Sequence, residues 1–340
     1  MAIDGLVKAG TESRWGISEE ATFGTAIADN GTFIQLEGPI PTVDEGVISD
    51  VRTKANGRRV ISDIDLFHTQ TGGLRTISFS DLIVRKTDLA YLLYLVHGST
   101  VAEGAATPYQ KSFTWTSSTT QPDYSANAGL FVTLGINEPL AAKDRKFTSC
   151  ILSELTLTPD LTGDGRLKAS GTFISGFSST AASTLSGTWA YATQAYIQCN
   201  NPSKKTIVSD VVLYDWSITY ANNAVRVGSD ATGDAETYFI GGGDTGLSVT
   251  GNILTKYDTA TDDLIADSVA GTGRKFEFEV GTDGVDGFFD IYLDKCIFGA
   301  ADKAYGDARG QAVNLPFTAV HLTGSAMSVA QIADAVDRTW

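Results

Sequence analysis

The residues best suited to catalysis or metal binding are scattered along this chain. Its three histidines stand far apart and form no H-E-x-x-H or comparable ligand spacing, lying at His68, His97 and His321. The cysteines show no C-x-x-C spacing and no nucleophile signature, lying at Cys150, Cys199 and Cys296. We expect structural roles for all of these side chains. An odd, sparse cysteine count also argues against a disulfide framework and fits synthesis in a reducing compartment.

Two aspartate-glycine segments, 160–165 and 283–287, resemble calcium loops in composition. They match neither the EF-hand spacing nor a repeated array, and Asp-Gly pairs are ordinary turn residues. The run Gly241-Gly242-Gly243 lacks the following Lys-Ser/Thr of a phosphate-binding loop. No G-x-S-x-G motif occurs, and no spacing singles out a pair of carboxylates. The sequence therefore predicts no enzyme activity, no cofactor and no metal site.

A basic cluster is the remaining candidate for a binding site. A long segment of mixed character, about residues 38–72, concentrates four cations on an otherwise acidic protein, namely Arg52, Lys54, Arg58 and Arg59. The turn signal Asn56-Gly57 and the β-prone stretch 60–67 predict a protruding hairpin. The segment is either a solvated loop or an arm that docks on an acidic neighbouring subunit.

The chain is organised around a strand followed by a short helix at Gly72–Ser99. Apolar residues at the helical period lie on one face at Leu89, Leu92, Leu93 and Val96. Thr87 or Asp88 is the expected N-cap, and Gly98 the residue that ends the helix. Residues 245–273 repeat this order, with Gly-Leu pairs that begin at positions 73 and 246. A period of half the chain predicts two domains rather than a solenoid.

Most other segments read as strands. Residues 150–158 and 167–173 alternate apolar and polar side chains around a turn, which predicts a β-hairpin. A small, polar linker at 176–187 is the expected boundary between domains 1–180 and 181–340. The apolar spacing in 328–336 predicts a short amphipathic helix at the C-terminus. The predicted fold is mainly β: two tandem β-barrel or sandwich domains, each with one short flanking helix.

Composition and charge exclude several classes of protein. The chain has 340 residues, 42% of them hydrophobic, and a net charge of −15. Such a surface repels phosphate, so tight nucleic-acid binding is not expected. The longest apolar run, Leu89–Val96, is too short to span a membrane, and no secretory signal is visible at the N-terminus.

The order of these features resembles the tail tube proteins of bacteriophages with long, non-contractile, siphovirus-type tails. The resemblance covers most of the chain: a Glu-x-Thr-Phe-Gly-Thr lead-in at 20–25, a strand, and a long arm with Gly57-Arg58-Arg59. A strand and short helix at 73–98, an aromatic strand at 113–115, the hairpin 150–175 and a diverged second half complete it. The second half lacks the Arg-Arg pair.

Several expectations follow from this resemblance. It implies a structural virion protein, made in the host cytoplasm, that self-assembles into stacked rings forming a hollow tail tube. Two domains per chain would give trimeric, pseudo-hexameric rings, with the arm bridging neighbouring subunits. Other partners would be the tail terminator, tape-measure and distal tail proteins. DNA would pass through the lumen during ejection without specific binding, since lining carboxylates would repel it.

Two other classes remain open at this point. A β-sandwich binding or adhesin module that recognises carbohydrate would need an exposed aromatic platform, for which Trp115, Trp189 and Trp216 are the candidates. An enzyme of β-rich fold has no motif in its support.

Overall fold

The computed structural model gives the architecture of most of the chain. It describes residues 13–45, 48–51, 66–69, 74–98, 108–116, 119, 124, 128–137, 144–161, 163–177, 180–182, 185–191, 193–206, 211–227, 238–240, 246–307, 310–321 and 326–334. The protein is mainly β, as predicted, with twenty-two strands and two helices in these ranges.

The first half contributes eleven strands and one helix. In chain order these are β1 (Arg14–Glu19), β2 (Phe33–Gln35), β3 (Thr42–Asp44), β4 (Ile48–Val51), β5 (Leu66–Thr69), β6 (Arg75–Ile83), α1 (Lys86–His97), β7 (Tyr109–Thr116), β8 (Val132–Asn137), β9 (Asp144–Pro159), β10 (Leu167–Ser175) and β11 (Thr180–Ala182). The predicted hairpin is present as β9 and β10. Strands β4 and β5 also pair in antiparallel fashion, and residues 52–65 between them lie outside the described ranges.

The second half contributes the same number of strands and one helix. These are β12 (Trp189–Tyr191), β13 (Lys204–Thr206), β14 (Leu213–Ala221), β15 (Val225–Val227), β16 (Tyr238–Ile240), β17 (Ser248–Lys256), α2 (Thr259–Ala270), β18 (Arg274–Val280), β19 (Phe289–Phe298), β20 (Asp302–Asp307), β21 (Gly310–Ala319) and β22 (Ala326–Asp334).

The strand-and-helix repeat is present in both halves. β6 and β17 each have nine residues, and α1 and α2 each have twelve. The helices begin at positions 86 and 259 and end at positions 97 and 270, so both bounds are shifted by the same amount as the Gly-Leu pairs at 73 and 246. We call this shift the repeat offset. The pairing repeats as well, because β6 lies antiparallel to β10, and β17 lies antiparallel to β21. The sequence echo therefore corresponds to a shared topology.

The two helices begin and end differently. Helix α1 begins after Arg85, which makes no side-chain cap, so the predicted cap at Thr87 or Asp88 is wrong. Helix α2 has a conventional cap, since the Asp258 side chain accepts a hydrogen bond from the Thr261 backbone N–H. Both helices end at a left-handed glycine, Gly98 in α1 as predicted, with φ 71°.

One long strand joins the two halves. The first part of β9 pairs with β8 and β11, and its second part lies between β10 and β14. A second connection is made by β7, which pairs with the C-terminal strand β22. A single hydrophobic cluster contains residues of both halves. The division into domains 1–180 and 181–340 remains a prediction, and strand pairing crosses that boundary at both of these places.

Two expectations about shape and local structure need correction. Among the described strands, no circuit of pairings returns to its starting strand, so the large mixed sheet is not closed into a barrel within one chain. The C-terminal segment is strand β22, not a helix. Ser328, Ala330 and Ile332 alternate into the core between β7 and β19, and this strand pairing outweighs the helical spacing of the apolar residues. No helix in the described ranges has the length and apolarity needed to cross a membrane.

Candidate assembly surfaces

One face of the sheet carries a row of hydroxyl groups that crosses both halves. Directly paired residues of β10, β9, β14, β17 and β21 form this row, which we call the hydroxyl row: Ser170, Thr156, Thr219, Thr250 and Thr318. The hydroxyls of Thr156 and Thr219 are 2.8 Å apart across the junction between the halves. The neighbouring residues on each strand point toward the core, because successive side chains of a strand alternate between faces.

The hydroxyl row is nearly free of charge at its centre. Glu154 of β9 is exposed at one side, and Lys168 of β10 at the other side forms an ion pair with Asp160, with nitrogen and oxygen 3.4 Å apart. A neutral hydroxyl surface offers hydrogen-bonding groups but no cationic attraction for phosphate. The alternating Ser and Thr residues of these strands are visible in the sequence, where they predict a polar face but not a continuous row across five strands.

We call the pairing of β9 with β14 the internal junction. Strand β3, at the edge of the first half, holds the position in the repeat that β14 holds in the second half. β3 pairs with β6 at Val43↔Ile77, and β14 pairs with β17 at Ile218↔Gly251. Strand β6 contains one extra residue at a bulge beside Asp81, so the pairing with β10 and β21 makes Ile77 the counterpart of Gly251. Val43, which packs against the core, therefore holds the position of Ile218. Ile218 lies opposite Leu157 of β9, whereas no strand in the described ranges pairs with the outer edge of β3.

Strand β20, at the edge of the second half, holds the position in the repeat that β9 holds in the first half. Leu82 of β6 and Thr255 of β17 are related by the repeat offset. From Leu82 the pairing runs through β10 to Leu157, and from Thr255 it runs through β21 to Lys303 of β20. Lys303 therefore holds the position of Leu157. Within the described part of the chain, β20 pairs along one edge only, with β21.

The two helices differ in how far the rest of the chain covers them. All twelve residues of α1 are buried, and the second half supplies part of the cover. Lys86 Nζ lies 3.0 Å from Asp286 Oδ1, and Asn222 Nδ2 donates to the Val96 carbonyl at 3.3 Å. The predicted amphipathic α1 is thus covered on all sides. In α2 only two residues are buried and Val269 is 87% exposed, the buried ones being Thr261 and Leu264.

The predicted binding residues fall into two groups. Arg52, Lys54, Arg58 and Arg59 lie outside the described residues, so the arm remains a prediction. The three tryptophans considered as a carbohydrate platform are buried, with exposures of 1% for Trp115, 7% for Trp189 and 2% for Trp216. Their burial removes the observation on which the binding-module alternative depended.

His97 and the three cysteines are buried. His97 is fully buried, and burial lowers its pKa to about 4 although the Leu93 carbonyl partly opposes the shift. All three cysteines are buried free thiols, and burial raises the pKa of Cys199 and Cys296 to about 12. A thiol with so high a pKa is a poor nucleophile at neutral pH.

No protein-family model matches this sequence, and the comparison with curated proteins gives no match. The geometry of the sheet edges, the exposed helix and the hydroxyl row therefore carries the functional argument.

Proposed function

We propose that this chain is a structural virion protein that assembles head to tail into rings, which stack to form the hollow tube of a phage tail. The resemblance in the sequence suggests the family, and the internal junction carries the proposal. Each chain already contains one junction between two similar halves, together with one copy of each edge that forms it.

Head-to-tail association repeats the internal junction between chains. The edge of β3 in one copy would pair with the edge of β20 in the next, as β14 pairs with β9 inside the chain. Such a contact is heterologous, and heterologous contacts close into rings when the rotation between subunits permits. Closure would also cover two strand edges that otherwise favour uncontrolled aggregation. Three chains would give a ring of six similar units.

The exposed surface of α2 agrees with this arrangement. In the chain, α1 lies beside the internal junction and is covered by the second half. Helix α2 begins just after Tyr257, whose hydroxyl accepts a hydrogen bond from Lys303 of β20 at 3.1 Å, and it lacks equivalent cover. The next copy in a ring would provide that cover, through its first half.

The hydroxyl row suits the lining of a channel for DNA. It crosses β10, β9, β14, β17 and β21 without a cationic patch, and the chain carries a net charge of −15. A polyanion would meet hydroxyl groups at the wall and acidic groups elsewhere, so it would pass without being held. In this proposal the protein has no catalytic role, and its partners are further copies of itself and the other tail proteins.

Cysteine cross-linking tests the proposed contact directly. Val43→Cys and Lys303→Cys in one chain should form disulfides between chains, giving ladders of covalent oligomers under mild oxidation. Each single variant is the control and should give no ladder, because the three native cysteines are buried. Negative-stain electron microscopy and mass photometry over a concentration series should show rings or tubes with trimeric mass steps. A protein that stays monomeric at high concentration and forms no ladder would contradict the proposal.

A further inference from the structure

A group of three carboxylates lies on the polar face of strands β18 and β19. Glu277 and Glu279 project from β18, and Asp290 lies directly opposite Glu279 on β19. One oxygen of each carboxylate lies within 4.8 Å of the others. Two oxygens that share one Ca²⁺, at the usual distances of about 2.3–2.6 Å, are separated by no more than roughly 5 Å.

The two glutamates already have partners. Glu279 accepts hydrogen bonds from Ser203 Oγ at 2.9 Å and from Lys204 Nζ at 2.5 Å. Glu277 lies 2.8 Å from Lys275 Nζ and 3.5 Å from Lys204 Nζ. Lys204 and Lys275 are thus paired with the two glutamates, so among the described residues the three carboxylates share only two ammonium groups.

Asp290 provides a second, independent observation that points to a cation. It is only 8% exposed, and its Oδ1 is buried with no hydrogen-bond partner in the described structure. The carboxylates of Glu277 and Glu279 lie beside it, so its nearest charged neighbours include two groups of the same sign. A buried carboxylate is costly unless a charge or a donor compensates it.

We propose that Glu277, Glu279 and Asp290 form a binding site for a hard divalent cation, with Ca²⁺ the best fit. Carboxylate oxygens are the preferred ligands of such ions, and Ca²⁺ accepts irregular geometry with water completing its shell. Lys204 competes with the cation for Glu279. Because the Lys204 side chain is 55% exposed, it can move into solvent when the cation binds. The cation would hold β18 to β19 close to the point where β13 pairs with β18.

Titration of the EDTA-treated full-length protein with CaCl₂ and MgCl₂ tests the site. Isothermal titration calorimetry should show one Ca²⁺ per chain with a dissociation constant on the order of 10⁻⁴ M, together with a rise in the midpoint of thermal unfolding. Asp290→Asn keeps the shape of the side chain and should weaken binding at least tenfold. Glu154→Gln, which removes an exposed carboxylate from β9, should leave binding unchanged.

A second variant separates a cation site from an ordinary ion-pair network. Lys204→Gln removes the competing ammonium group and should tighten Ca²⁺ binding several-fold. In a network that binds no cation, the same change would only weaken the protein. The proposal is overturned if neither ion binds the wild-type protein at millimolar concentration, or if Asp290→Asn binds Ca²⁺ as tightly as the wild type.

Discussion

The imidazole ring of His97 packs against the phenol ring of Tyr220, with centroids 5.0 Å apart. His97 is the last residue of α1 in the first half, and Tyr220 lies on β14 in the second half. Trp115 of β7 completes the cluster, 4.6 Å from His97, and donates its indole N–H to the His97 carbonyl at 3.3 Å. The contact fixes the helix of one half against the strand that forms the internal junction.

The first prediction concerns acid stability. The pKa of His97 is about 4 in the folded protein and 6.5 in its ordinary state, so between these values the unfolded chain binds more protons. The contribution of neutral His97 to stability is complete above pH 6.5 and is lost as the pH falls toward 4. Relative to pH 8, this group alone should lower the free energy of unfolding by about 2 kcal/mol at pH 5. Urea denaturation across this pH range measures the effect.

His97→Phe should flatten that pH dependence between pH 4 and 6.5, because phenylalanine keeps the ring contacts and cannot be protonated. His321→Phe is the matched control and should retain the slope of the wild type. Equal slopes for the wild type and His97→Phe would show that another group causes the acid sensitivity.

The second prediction concerns Glu20, the first residue of the lead-in motif at 20–25. Its buried carboxylate accepts hydrogen bonds from the Ser149 backbone N–H, the Ser149 hydroxyl and the Thr133 hydroxyl, at 2.8, 2.5 and 2.6 Å. Glu20→Ala would leave these donors buried and unsatisfied, at a cost of about 3 kcal/mol or more in the free energy of unfolding. Chemical denaturation should show this loss, and Glu19→Ala, at an exposed neighbour, should change stability by less than about 0.5 kcal/mol.

The third prediction concerns the internal junction itself. Thr156 on β9 and Thr219 on β14 face each other in the hydroxyl row, with their oxygens 2.8 Å apart. Thr156→Val and Thr219→Val should show a coupling of about 0.5–1 kcal/mol in a double-mutant cycle on unfolding. Pairing Thr219→Val with Ser78→Ala, a change on β6 away from the junction, should give additive effects. Additivity for both pairs would mean that the hydroxyl contact across the junction is not a stabilising interaction.

The fourth prediction concerns the exposed surface of α2. Val269→Glu should leave the stability of the isolated chain almost unchanged, because Val269 is 87% exposed there. If the next copy covers α2, the buried charge should raise the concentration needed for ring formation at least tenfold, as measured by mass photometry. Val285→Glu changes an exposed valine on the β18–β19 loop and serves as the control. Equal assembly of the two variants would exclude α2 from the contact between copies.

Local sequence patterns determined much of the secondary structure. The alternation in β9 and β10 and the glycine that ends α1 are local signals, because strand alternation and left-handed C-caps depend on a few neighbouring residues. The repeat offset, visible in the Gly-Leu pairs, likewise indicates the positions of both helices. The N-cap of α1 escaped prediction because the helix is buried at its start, where Lys86 meets Asp286 of the other half.

The tertiary structure alone decided which strands are neighbours. Residues 328–334 have apolar spacing compatible with a helix, yet they form a strand because β7 and β19 provide hydrogen-bonding partners on both sides. The partners of β9 and β14 are distant in the chain, so no local pattern could reveal the internal junction or the hydroxyl row. The same holds for Asp290, whose sequence neighbours do not indicate that two glutamates from another strand lie beside it.

Sequence by itself determined most of the long strands and both helices of this protein, since these depend on short-range sterics and periodicity. Their pairing, and with it the edges, the polar face and the carboxylate group, depends on long-range burial that only the folded chain defines.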